Sequence, residues 1–176
     1  RAYGAWEGST ATSDTLADTA LHYYKNDLRP LMANQVKATQ REIDSLPVGV
    51  AEPSHQRMLT FTMGLGLDGF LNYNRNYDDP TLTTGDFYAI KQGTKSWPTT
   101  ASDPGKLDDM WHAAVNGRGK FFSAANPSDI ETGLTDALTA LQVYTGAGAA
   151  AATSNLQPVS GDNFAFTAQY TTGDWT

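Results

Sequence analysis

The 176-residue sequence contains no cysteine. Disulfides, thiolate metal sites and cysteine nucleophiles are therefore excluded. Charge is scarce too, at 18% of residues, and it is lopsided: 12 Lys and Arg stand against 19 Asp and Glu, for a formal net charge of −7. The cations are scattered, so a basic surface that tracks nucleic-acid phosphates is not expected. No apolar run approaches the roughly 18 residues that suggest a membrane span. The histidines are His22, His55 and His112, and no pair of them has metal-ligand spacing. No serine sits in a G-x-S-x-G context.

What remains is a globular composition, 40% hydrophobic, with a length that suits one domain of roughly 100–200 residues. Its organising stretch is Arg57 to Leu67, RMLTFTMGLGL. Leu59, Phe61, Met63 and Leu65 alternate with Met58, Thr60, Thr62 and Gly64, which is strand periodicity. Neither face carries a charge, as in a parallel strand covered on both sides. Gly64 and Gly66 mark a turn or a close backbone approach at its end.

Helical patterns surround this strand. Thr15-Leu-Ala-Asp18 is a capping box that opens a helix over about Asp14 to Asn26, with Leu16, Ala17, Ala20, Leu21 and Tyr24 as its apolar face. Residues 27–56 read as a connection with a polar helical piece from Met32 to Ile43. Residues 68–106 read as a long loop, a length usually tied to function, with a short strand or helical turn at Phe87 to Ile90. A short helix follows at 107–117, with Gly117 placed as its C′ residue, then a strand from Lys120 to Ala124. Asn126-Pro127 reads as a cap with Pro at the first helical position. Ile130, Leu134, Ala137, Leu138 and Leu141 then form one helical face. The expected divisions are an α/β domain over 1–144, a Gly/Ala-rich tether over 145–160, and the first strand of a β-rich domain over 161–176. In that last segment Phe164, Phe166, Ala168 and Tyr170 alternate. Arg1 opens the chain without Met and Thr176 follows a strand-like run, so a segment of a longer polypeptide is expected.

Candidate site residues are few. Asp68 follows the strand's C-terminal end, the edge where open α/β sheets bind ligands, although Asp68-Gly69 is also an ordinary turn pair. Asp78, Asp79 and Asp86 place carboxylates in the long loop, as calcium sites do, but without D-x-[DN]-x-[DN]-G spacing. Tyr73, Tyr77, Phe87, Tyr88 and Trp97 bring aromatic rings to the same loop. Such rings suit protein or glycan contact, or else pin the loop to its own domain. His112 has Asp108 four residues before it, and reads as a surface pair or a buried hydrogen-bonded histidine rather than a proton carrier. Gly64-Leu65-Gly66 lacks the rest of a dinucleotide fingerprint. No catalytic constellation emerges, so an enzyme is not expected.

Four stretches carry a family resemblance: TLADTALHYYKNDLRP at 15–30, TFTMGLGL at 60–67, DDMWHAAVNGRGKFFSA at 108–124, and the helix at 126–141. With the strand FAFTAQYTTGDWT at 164–176, the chain resembles the C-terminal portion of a von Willebrand factor A-type domain as carried by PilY-type proteins, the type IV pilus tip-associated adhesins. The resemblance implies a doubly wound, mostly parallel α/β sheet, incomplete in this stretch, followed by a β-strand of a second domain. It implies an extracellular place at the pilus tip or outer cell surface, with roles in surface attachment, pilus biogenesis and twitching motility. The implied partners are minor pilins of the tip, a host or abiotic surface, and the rest of the chain's own polypeptide, which must complete the sheet. The family's divalent cation, magnesium or calcium, is held by a DxSxS motif with a later Thr and Asp. This sequence has no DxSxS, so no metal ligand is carried over and no cofactor is expected in this stretch. A structural piece of an extracellular assembly without its own ligand, and a doubly wound α/β enzyme, are the alternative readings.

Overall fold

Helix α1 runs Leu16–Lys25 and begins where the capping box places it: the Thr15 hydroxyl accepts from the Asp18 N–H, and the Asp18 carboxylate accepts from the Thr15 N–H. The computed structural model describes residues 6–46, 49–65, 68–124, 127–141, 152–153 and 165–166, which fall into two units, Arg1–Val143 and Tyr144–Thr176. In the first unit the order is α1, α2 (Gln40–Ser45), β1 (Thr60–Leu65), α3 (Asp86–Lys91), α4 (Asp103–Asn116), β2 (Arg118–Ala124) and α5 (Pro127–Leu141). This is an α/β arrangement around a parallel pair, β1 and β2, joined by the long crossover that parallel strands require.

Alternation along the strands sorts the layers. On one face Thr62 donates its hydroxyl to the Met110 carbonyl at 2.6 Å and Phe121 stacks on Trp111, so α4 covers that side. On the other face Met63 and Phe122 lie against Gly133 of α5. Glycine is needed where these layers approach. A Cβ at Gly64 would stand 2.7 Å from a Leu107 methyl and 3.1 Å from the Phe121 ring. One at Gly117 would stand 2.5 Å from the Thr60 Cβ. Ala17, Ala20 and Ala113 likewise let α1 close on α4. Asp109 of α4 then accepts from the Leu16 and Ala17 N–H groups at the positive end of α1.

Several boundaries differ from the sequence expectation. The helix expected at 107–117 starts at Asp103, because Ser102 takes the N-cap position and Pro104 suits the first turn. Phe87 to Ile90 is helical, within α3. The polar piece expected from Met32 to Ile43 is a helix only from Gln40. Upstream, Val36 donates to the Ser54 carbonyl and Gln56 reaches the Ala33 carbonyl, so that stretch lies along 54–56 instead. Gly117 ends α4 with φ −83°, not in the left-handed region; Arg118 takes φ +57° there. Its guanidinium donates back to the Val115 and Asn116 carbonyls and lies over the Tyr24 ring, which holds the turn.

Phe61, expected in the core, is half-buried, and Leu65 beyond it is 60% exposed. The reason is coverage: among the described residues α5 packs on β2 and reaches β1 at Met63, leaving Phe61 partly and Leu65 largely uncovered. Ile130, Leu134 and Leu138, expected as the apolar face of α5, are exposed as well. Asn126, expected as the cap of α5, lies outside the described residues. In the second unit β3 (Ala152–Thr153) pairs antiparallel with β4 (Ala165–Phe166), Ala152 opposite Phe166. Ala152 and Thr153 fall within the span expected as a tether. Phe164, Ala168 and Tyr170 lie outside the described residues. Among the described residues no helix is long and apolar enough to cross a membrane.

Trp111, 1% exposed, contacts rings from several segments, so Trp111→Ala is expected to destabilise the unit by about 3–5 kcal/mol. Phe61→Ala, at a half-covered position, is expected to cost about half of that by the same area reasoning. Equilibrium urea unfolding checks the ordering; an equal or larger loss at Phe61 would place the core on the wrong face of β1.

Candidate functional site

The C-terminal ends of β1 and β2 open into a cavity of about 370 Å³. Its floor is Leu107, Trp111 and Phe121; Tyr73 forms a wall, and Asp68, Phe70, Asn72 and Ser123 stand around its mouth. This is the crevice position at which open α/β sheets bind ligands. The Asp68-to-Tyr73 segment is positioned by Asp108 of α4. That carboxylate accepts from the Phe70 N–H at 2.8 Å and from the Leu71 N–H at 3.4 Å, and a Cβ at Gly69 would stand 2.0 Å from its Oδ1. Asp108 is 3% exposed, and burial raises its pKa despite the two N–H donors.

The aromatic residues of the long loop turn inward. Tyr77 and Trp97 are buried, and Tyr73 is half-buried. Trp111 meets Tyr73, Tyr77, Phe87 and Trp97 at centroid distances between 5.0 and 6.1 Å. The Tyr73 hydroxyl donates to the Phe121 carbonyl at 2.9 Å, and the Tyr77 hydroxyl accepts the Phe121 N–H at 3.1 Å. Two tyrosines therefore occupy the backbone groups of Phe121, closing that point of the β2 edge to another strand. Four of the five aromatic candidates, Tyr73, Tyr77, Phe87 and Trp97, thus pin the loop to its own domain. Tyr88, on α3, stays half-exposed. Burial also pushes the Tyr73 hydroxyl up to about 12.

The candidate carboxylates are not brought together. Asp68 is exposed at the cavity mouth. Asp78 lies at a second cleft of about 450 Å³ on the other side, paired with Arg41 and, at 3.2 Å, with Lys120. Burial acts to raise its pKa, but the two cations hold it below the usual carboxylate range. Asp79 accepts from the Thr81 N–H and hydroxyl, a local turn. Asp86 accepts from Asn72 and pairs with Lys95 at 2.6 Å. Among the described residues no group of three His, Cys, Asp or Glu could hold a metal ion.

His112 is buried, but its partner is not Asp108. It stacks on Trp97 at 4.5 Å, meets the Asn116 amide at 3.1 Å, and faces Glu7 at 3.4 Å. Asn116 also accepts from the Trp6 N–H, and the Trp97 indole donates to the Trp6 carbonyl at 2.7 Å. This group straps the N-terminal segment to the core. A second buried group, overlooked in the sequence, joins Glu42 and Arg57, with Thr39 donating to Glu42 through both its N–H and its hydroxyl. The signal was present: Thr39-x-x-Glu42 is a capping box like the one at Thr15. Burial opposes ionisation of Glu42, yet Arg57 and the Thr39 donors hold its pKa low.

These opposite shifts predict opposite pH dependences. Glu42, with its pKa depressed in the fold, contributes stability that is present above the unfolded value and lost as pH falls through the folded one. Asp108, with its pKa raised, is best accommodated at low pH and loses stability as pH rises from the unfolded value to the folded one. Glu42→Gln should therefore cost more at pH 7 than near pH 3, and Asp108→Asn less at pH 7 than near pH 3. Urea titrations across that range test it, and parallel slopes for the two variants would refute the assignment. Separately, Tyr77→Phe leaves the Phe121 N–H unmet inside the core and is expected to cost about 1–3 kcal/mol in the same measurement.

No family model and no solved structure matches the chain. Among curated proteins, Type IV pilus biogenesis factor PilY1 of Pseudomonas aeruginosa strain UCBPP-PA14 is 35% identical over 139 residues, covering 73% of this chain and 12% of that protein. The PilY1 of strain PAO1 is 36% identical over 140 residues, covering 72% and 12%. That of strain PAK is 35% identical over 141 residues, covering 73% and 12%. The chain is a PilY-type sequence, and it spans 12% of the length of the curated relatives it matches.

Proposed function

We propose that this stretch is a non-catalytic part of a type IV pilus biogenesis factor. In this reading it is the C-terminal section of a von Willebrand factor A-type domain, displayed at the pilus tip or outer cell surface, where it serves pilus assembly and surface attachment. The observation that carries the reading is the 35–36% identity to PilY1 over nearly three quarters of the chain. The open side of the sheet supports the idea that other residues of the same polypeptide finish the domain. Among the described residues β1 has no strand neighbour besides β2, while Leu65, Ile130, Leu134 and Leu138 remain exposed. Parallel sheets are normally covered on both faces, so such a surface calls for a further strand and helix.

A chimera tests this. In a Pseudomonas aeruginosa strain lacking PilY1, full-length PilY1 carrying this stretch in place of its own matching segment should restore sheared surface pili and twitching zones. An exported, stable chimera that restores neither would sink the proposal. Restored pili with lost surface attachment would instead favour a purely structural role for the native segment.

A further inference from the structure

Glu42 and Asp108 are the carboxylates buried among the described residues. Glu42 is matched by the Arg57 guanidinium. Asp108 has two backbone N–H donors and, among the described residues, no cation within ion-pair distance. Lys95, whose charge acts on Asp108, is committed to Asp86 at 2.6 Å. A buried carboxylate without a counter-charge is an anomaly, because folded proteins pair such groups or neutralise them. Asp108 lines the cavity at the sheet's C-terminal edge, and so does exposed Asp68. Among the described residues no Lys, Arg or His lines that cavity. Phe70, 62% exposed, stands at its mouth, with Tyr73 and Trp111 deeper in.

We propose that this cavity takes an organic cation, the guanidinium of an arginine side chain on a partner polypeptide. Asp108 and Asp68 supply the opposite charge, and Phe70 and Tyr73 supply the flat surfaces. Each carboxylate oxygen has two acceptor positions, so the N–H bonds from Phe70 and Leu71 leave acceptor capacity on Asp108. A guanidinium is planar, donates in a fork and stacks on aromatic faces, which suits this combination better than a compact ammonium. An anionic ligand is disfavoured by the two carboxylates. A bare metal ion lacks the three ligands it needs among the described residues. A cavity of about 370 Å³ admits the head and stem of an arginine. This inference stands on the cavity alone and is independent of the pilus assignment.

The test uses the intact polypeptide that carries this chain and N-acetyl-L-arginine methylamide as probe, followed by calorimetry and by carboxyl carbon resonances. The neutral isostere, N-acetyl-L-citrulline methylamide, is the control. Saturable binding of the arginine probe, about tenfold or more tighter than the citrulline one, is expected from charge-assisted hydrogen bonding. Asp68→Asn, at an exposed position that the fold does not depend on, should weaken binding about threefold as a partly screened charge contact. Asp108→Asn should weaken it about tenfold, in keeping with a buried charge-assisted bond. The Asp108 carboxyl should also titrate at lower pH in the presence of the arginine probe, a readout that a merely structural Asp108 would not move. Equal affinity for arginine and citrulline, an unmoved Asp108 titration, or unchanged binding in both variants would overturn the proposal. Spermidine binding tenfold tighter than the arginine probe would overturn the polypeptide source in favour of a free polyamine.

Discussion

Burial of the Trp111 indole is the constraint on which the first unit depends. It sits on α4 between β2 and the long loop, with Phe121 beneath it and Tyr73, Tyr77, Phe87 and Trp97 around it. Aromatic packing of this kind combines large apolar area with preferred edge-to-face geometry. It also settles where the loop runs, since three of those rings come from residues 73–87 and one from Trp97. The tyrosine hydroxyls then reach the Phe121 backbone, so the same cluster that fills the core also protects part of a strand edge. Aggregation through that point of β2 is blocked by side chains of the loop rather than by another strand.

Two polar groups hold the periphery to this core. Glu42, Arg57 and Thr39 tie α2 to the approach of β1. Glu7, His112 and Asn116 tie the N-terminal segment to the end of α4. Both groups are buried, so their value lies in fixing one arrangement: losing a partner leaves an unmet charge or donor in a low-dielectric setting. Asp108 differs from both. It positions the turn after β1 through hydrogen bonds, and among the described residues no cation pairs with it at the edge of the cavity.

Much of this was legible locally. The Thr15 capping box, the alternation at 60–65, and the WHAAV helix followed by KFFSA are short-range patterns, and short-range physics sets them. The second capping box at Thr39 was equally local, but no apolar face followed it to draw attention. The aromatic loop was legible only as a pair of alternatives. Whether Tyr73, Tyr77 and Trp97 face solvent or core depends on Trp111 of α4 and Phe121 of β2, which lie between 34 and 48 residues from Tyr73 and Tyr77 and pack against them only in the fold.

The sequence by itself determined the main strands and helices, α1, β1, α4, β2 and α5, the parallel α/β class and the PilY-type kinship, because periodicity, caps and motif identity are properties of neighbouring residues. Only the tertiary structure decided which apolar faces are covered. Leu65, Ile130, Leu134 and Leu138 have the same hydrophobicity as core residues, yet they are exposed, because coverage depends on which other elements are present to pack there. It also decided the partners of the charges. His112 took Asn116 and Glu7 rather than Asp108, and Asp108 took the loop after β1, since ion pairs and hydrogen bonds follow distance in space rather than spacing along a helix.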